Sequence, residues 1–147
     1  MSDYRGESPI NPIPPLVLAI FVVMAGIEVV FQLGARGFVG GPAAVGWRTN
    51  AIMDYGFQGQ FPSFMLDSGQ WRPDFLLRFV SYPFVSGSFT QAAFAGVMLL
   101  ALGKYVGEVL APVSVFILFV LCTIGGAVAM WGLGQPDAWL YGGFPPV

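Results

Sequence analysis

Three runs of apolar residues, each near the roughly 20 residues a helix needs to cross a bilayer, constrain this chain more than any other feature. They are Leu16 to Leu33, Ser88 to Gly103 and Ala111 to Leu133. In hydrocarbon a backbone must pair its own N–H and C=O groups, and these runs lack the alternation of barrel strands, so each is expected to be a helix. Pro12, Pro14 and Pro15 precede the first run and Pro112 opens the third, positions where a missing N–H costs nothing. Gly34 and the pair Gly132 and Gly134 are the expected stops. Composition agrees: 56% of the residues are hydrophobic and 10% charged, against about 25% charged in an ordinary soluble domain. Six Lys+Arg against eight Asp+Glu leave a net charge of −2, which excludes a basic nucleic-acid binder. The abundance of apolar side chains excludes a disordered chain. The chain has no histidine, so Ser-His and Cys-His dyads, His-ligated metals and His-ligated pigments are excluded within it.

The expected architecture is an all-α membrane protein with three transmembrane helices and a long interfacial aromatic loop. Residues 1–15 form an N-terminal tail; with Asp3, Arg5, Glu7 and several prolines it is not a secretory signal. Residues 16–34 are the first span, 88–103 the second and 111–133 the third. Between the first two spans, residues 35–87 carry four of the six basic residues together with Trp47, Phe57, Phe61, Phe64, Trp71, Phe75 and Phe79. A structureless loop of that length is unusual, and aromatics mixed with arginines suit the headgroup layer. Helical pieces are expected at Arg48 to Tyr55 and Pro73 to Val80. The five residues Lys104 to Glu108 are read as a tight turn, making spans two and three an antiparallel hairpin. Residues 134–147 read as the start of a further segment at which the sequence breaks off, suggesting a shortened chain.

Several side chains are candidates for function. Glu28 lies inside the first span, where an ionisable group is costly; a structural role, reaching the interface or pairing with Arg36, is preferred. Small residues at Ala92 and Gly96, Gly103 and Gly107, and Gly125 and Gly126 allow close helix packing, in this chain or with another. Ser86, Ser88, Thr90 and Gln91 cluster at the start of the second span, where helix capping is the simplest role. Arg36, Arg48, Arg72 and Arg78, accompanied by Asp54, Asp67 and Asp74, are expected at a solvated or salt-bridged surface. The lone Cys122 can form no intramolecular disulfide and is expected to be an inert packing residue.

The block from Arg78 through Tyr82, Phe84, Gly87, Ser88, Phe94 and Gly103 to Glu108 resembles the signature of the rhomboid intramembrane proteases. In that family an arginine-containing stretch leads into Phe-Leu-His-Gly-Ser, followed by a second His, an Asn four residues on, a Gly, and a Glu at the far helix end. The aromatic loop with Trp71 and Arg72 is similar to the family's membrane-embedded first loop. Tyr141 to Val147 falls where the family's Gly-x-Ser-Gly opens its fourth helix. The departures fall on the chemistry. Ser86 stands at the first His position, Gln91 at the second, Ala95 at the oxyanion Asn, Phe144 at the nucleophilic Ser and Pro145 at the Gly after it. The groups that would activate a nucleophile or hold an oxyanion are altered.

The resemblance thus implies a pseudoprotease, not an enzyme, that needs no cofactor and binds other transmembrane proteins within the lipid bilayer. It implies residence in a bacterial inner membrane with a cytoplasmic N-terminus. The four arginines of the first loop point the other way by the positive-inside rule; the orientation adopted follows the resemblance. The alternative is an accessory subunit of a larger membrane complex, energy-transducing or photosynthetic, because three helices cover little of one another. A transporter is disfavoured, since three spans offer no inverted repeat.

Overall fold

The structure is a computed structural model that describes residues 12–133 and 137–143. It is mostly helical, and three of its helices are long and apolar enough to cross a membrane: α1 (Pro15–Ala35), α5 (Phe89–Val109) and α6 (Pro112–Gly132). Pro15 and Pro112 sit in the first turns of α1 and α6, as their fixed φ and missing N–H favour. Between α1 and α5 lie a 3-10 turn over Gly41–Gly46, α2 (Trp47–Tyr55), a short strand β1 (Phe57–Gln58), α3 (Gln60–Ser68), α4 (Pro73–Ser81) and a second 3-10 turn over Tyr82–Phe84. After α6, strand β2 (Trp139–Leu140) returns to pair antiparallel with β1, Phe57 opposite Leu140. This ladder of two-residue strands is a departure from an all-helical chain.

The second span is longer than its hydropathy suggests. It continues as helix through Lys104 and Glu108 to Val109, so the residues expected to form a turn are helical and α5 meets α6 across only Leu110 and Ala111. Charges near a helix end do not terminate it, because long side chains carry their heads out to the interface. The start of α5 is marked by Ser88, whose hydroxyl accepts the Gln91 N–H at 3.2 Å. Gln91 in turn accepts the Gly87 N–H at 2.9 Å, a variant of the reciprocal cap that Ser-x-x-Gln sequences make.

Helix α1 packs antiparallel on α5. A Cβ on Gly103 would lie 2.6 Å from a Val17 methyl, and one on Gly96 would lie 2.8 Å from the Phe21 ring. Gly107 faces Pro14 in the same way. Three of the small residues therefore find their partner inside this chain, as the close approach of small-faced helices requires. Gly125 does not: nothing lies within 4 Å of its side-chain direction. One core, Val17, Ile20, Met24, Ala95, Leu99, Val115 and Phe119, joins the three long helices. Only 17–22% of each spanning window is buried, so most of the apolar surface of these helices is open to lipid or to partners.

The loop does not merely float at the interface. Phe57 and Tyr82 are fully buried with Ala127 of α6, flanked by Phe79, Trp131 and Leu140. The Tyr82 hydroxyl donates to the Thr123 carbonyl at 2.8 Å. Thr123 lies about 13 Å in from the Gly132 end of α6 at 1.5 Å per residue, so the loop reaches toward the middle of that helix. Higher up, the Trp131 indole N–H donates to Ser63 of α3 at 3.0 Å.

Candidate functional site

The acidic residue inside α1 is the centre of the most polar site in the protein. Glu28 is buried and receives a bidentate guanidinium: Arg48 Nη2 donates to Oε1 at 2.5 Å and Nη1 to Oε2 at 3.0 Å. Arg48 Nη1 also donates to the Ser86 carbonyl at 2.7 Å, and the guanidinium lies 5.2 Å from the centre of the Phe31 ring. Gln32 adds a bond to Glu28 Oε1 at 3.0 Å, the i,i+4 neighbour relation of a helix face. Two expectations are corrected here. Glu28 pairs with Arg48, not with Arg36, which lies about 12 Å further along the helix axis. Arg48 is not a surface residue; its side chain is largely buried. A bidentate geometry with every carboxylate oxygen bonded is what makes a buried ion pair tolerable.

The backbone around Trp47 delivers Arg48 to Glu28. Its indole lies over Gly34 at the end of α1 and over Gly40, where a Cβ would clash with the ring. Gly40 also has φ +81, a left-handed conformation that glycine adopts without strain. With the ring seated on α1, the first turn of α2 is pinned beside Gln32 and Glu28.

A second cluster gathers the positions that the resemblance assigns to chemistry. Ser86 is buried and its carbonyl is held by Arg48. Gln91 accepts the Gly87 N–H at 2.9 Å and donates to the Tyr141 carbonyl at 3.2 Å. Ala95 is fully buried. Gly143 is pressed against Met24 and Ala95, where a Cβ of its own would come within 2.6 Å and 3.3 Å. Gly142, at φ +94, donates its N–H to the Tyr82 carbonyl at 3.0 Å. Gln91 and Ala95 are thus brought together with the segment that leads to Phe144, while Ser86 is held by Arg48; Phe144 itself lies outside the described residues, as do Pro145 and residues 134–136. Gln91 joins two backbone segments, and the Ser88 hydroxyl is engaged as a helix cap.

The third polar locus is Arg78 with Tyr82. Arg78 donates to the carbonyls of Met53 at 2.6 Å and Gly56 at 3.1 Å, and its guanidinium lies 4.5 Å from the centre of the Phe61 ring. Burial holds this guanidinium below its ordinary value, opposed by the carboxylates of Asp54 and Asp74. Like Arg48, it ties the protein to its own carbonyls, although it is only half-buried. Arg72 does behave as expected, pairing at 3.5 Å with Asp74 where both are exposed. Burial also pushes the Tyr82 phenol up from its ordinary value, with Cys122 nearby adding to the rise.

Among the described residues no group of three or more Cys, Asp or Glu side chains is arranged to hold a metal. A scan against protein-family models, a search of curated proteins and a search of solved structures each return no match to this chain.

Proposed function

We propose that this protein is a non-catalytic integral membrane protein of rhomboid-like layout whose role is to bind other transmembrane proteins. The observation that carries this reading is Gln91. At the place the resemblance gives to a catalytic His, a carboxamide ties the Gly87 N–H to the Tyr141 carbonyl. A carboxamide does not gain or lose a proton as an acid or base near neutral pH, so its contribution there is to hold two segments together. Ala95 beside it has no donor for an oxyanion, and its place is filled by close packing on Gly143. The frame is braced where an enzyme of that layout would be poised for reaction. An activity-directed serine probe applied to the full-length protein in its native membrane is expected to leave it unlabelled. Labelling abolished by Ser86→Ala or Ser88→Ala alone would overturn the reading.

The second reading, a subunit of a larger membrane complex, is favoured by the outer face of α6. Val113, Ile117, Leu121 and Val128 are exposed along one side of this helix, with Gly125 open between them. Such a face admits a neighbouring helix closely. Purification in a mild detergent separates the readings: a companion in fixed stoichiometry supports a subunit, and substoichiometric, exchangeable clients support a binding protein.

A further inference from the structure

Helices α1 and α5 are in close contact from Pro14–Gly107 through Val17–Gly103 to Phe21–Gly96, and from there toward the C-terminal end of α1 a groove of about 670 Å³ lies along them. Its walls are mostly apolar; Glu28 and Gln32 line it partway along, and Arg36 stands with Leu33, Phe38 and Phe89 at the far end. We infer that this groove binds one acyl chain of an anionic phospholipid, with the lipid phosphate on Arg36.

The dimensions select an acyl chain over a helix. From Phe21 to Arg36, at 1.5 Å per residue, the groove runs about 22 Å. That is about half of a bilayer with its headgroups, roughly 20–22 Å, so the groove is as long as one leaflet. Spread over that length, 670 Å³ gives a cross-section of about 30 Å². That cross-section suits an acyl chain lying along the floor of the groove, whereas a helix about 11 Å wide is broader than the groove.

The charges select an anion. Glu28 is neutralised by Arg48. Arg36 is exposed at the mouth, and its guanidinium has no hydrogen-bond or ion-pair partner among the described residues. The C-terminal turn of α1 and the N-terminal turn of α5 both stand at this end of the groove, and their dipoles oppose one another. One positive charge is left over where a lipid phosphate would stand, in a geometry a guanidinium can bridge with two bonds. The inference is independent of whether the chain is a pseudoprotease.

The test uses the full chain reconstituted in phosphatidylcholine vesicles containing a minor fraction of phosphatidylglycerol with a photoreactive diazirine in one acyl chain. Adducts mapped by mass spectrometry are expected on the Phe21 to Val29 and Ala92 to Val97 peptides. Arg36→Gln is expected to lower their yield about fivefold, the factor that about 1 kcal/mol per basic residue at an anionic surface corresponds to. Arg36→Lys should retain most of it. Ala93→Phe, at an exposed position facing the groove, should abolish the adducts without lowering thermal stability. Equal yields from the same probe on phosphatidylcholine, a yield indifferent to Arg36→Gln, or adducts spread evenly over the outer face of α6 would each overturn the inference. So would a co-purifying protein whose helix crosslinks in the groove and excludes the lipid.

Discussion

At the scale of the residue, the Glu28–Arg48 pair is the contact on which the junction of helix and loop depends. Removing one partner of a buried pair strands the other charge, which costs about 3–5 kcal/mol. Glu28 is the more buried of the two, so Arg48→Ala, which strands it, is expected to cost more in detergent unfolding than Glu28→Ala, which leaves Arg48 its bond to the Ser86 carbonyl and should cost about 3 kcal/mol. The double variant Glu28→Ala with Arg48→Ala should cost less than the two singles together, since it leaves no unpaired charge. A double cost equal to the sum of the singles would mean the two side chains are not coupled. Arg48→Lys should also fail to restore full stability, because the three donors of an ammonium radiate from one nitrogen and do not match the planar fork that spans both carboxylate oxygens. This pair was not legible in the sequence. Glu28 stood out as a charge in an apolar run, but the arginine that meets it is 20 residues away beyond a turn, and no local spacing marks it.

Tyr82 makes a prediction of a different kind. Its phenol is raised by burial, so the folded state holds a proton that the unfolded chain gives up at the ordinary value. The unfolded state then binds fewer protons than the native one, and stability falls as pH rises. That stability is fully present below about pH 10, the unfolded value, and is lost progressively above it. Tyr82→Phe should cost about 1 kcal/mol at neutral pH through the missing bond to the Thr123 carbonyl, and should flatten the alkaline decline. Unfolding followed by circular dichroism from pH 8 to 11 checks both parts; an unchanged alkaline slope in the variant would assign the decline to other groups.

At the scale of the element, the three long helices were legible because twenty apolar residues have few other fates, and α2 and α4 were legible within a residue at most bounds. Two features were not. The end of α5 was placed too early because Lys104 and Glu108 look like a boundary, although their charges lie on the helix's final turns. Helix α3 is not among the expected helical pieces, and it contains Pro62. It falls in the first turn, where its N–H would have had no intrahelical partner. The glycines of α5 and α6 look alike in sequence and differ in the fold. Gly103→Leu would drive a side chain into Val17 and is expected to cost about 1–3 kcal/mol by overpacking. Gly125→Leu meets open space and should leave stability unchanged or raise it by up to about 1 kcal/mol through helix propensity. If α6 docks a partner through this face, the same variant loses the companion while remaining folded, which thermal unfolding and co-purification measure independently.

At the scale of the whole molecule, the chain is strongly asymmetric across the bilayer. At one end, α1 begins beside the end of α5, Pro14 against Gly107, and α5 passes into α6 through Leu110 and Ala111. At the other end stands the whole aromatic segment from Arg36 to Ser88, stitched to the returning strand β2. Arg48 and Arg78 are internal ties on that side and cost the membrane little in either orientation, because each is already bonded within the protein. Counting them as free positive charges overstates the positive-inside signal, which then rests on Arg36 and Arg72 against Lys104 and Arg5. With that signal near balance, we propose the orientation the resemblance implies, N-terminus cytoplasmic and aromatic segment outside. In a Cys122→Ala background, Gln70→Cys marks the aromatic side and Leu110→Cys the side of the short link, both at exposed positions. A membrane-impermeant maleimide added to intact cells is expected to label Gln70→Cys at once and Leu110→Cys only after the membrane is opened. The reverse pattern would turn the protein over and place the Arg36 end of the α1–α5 groove in the cytoplasmic leaflet.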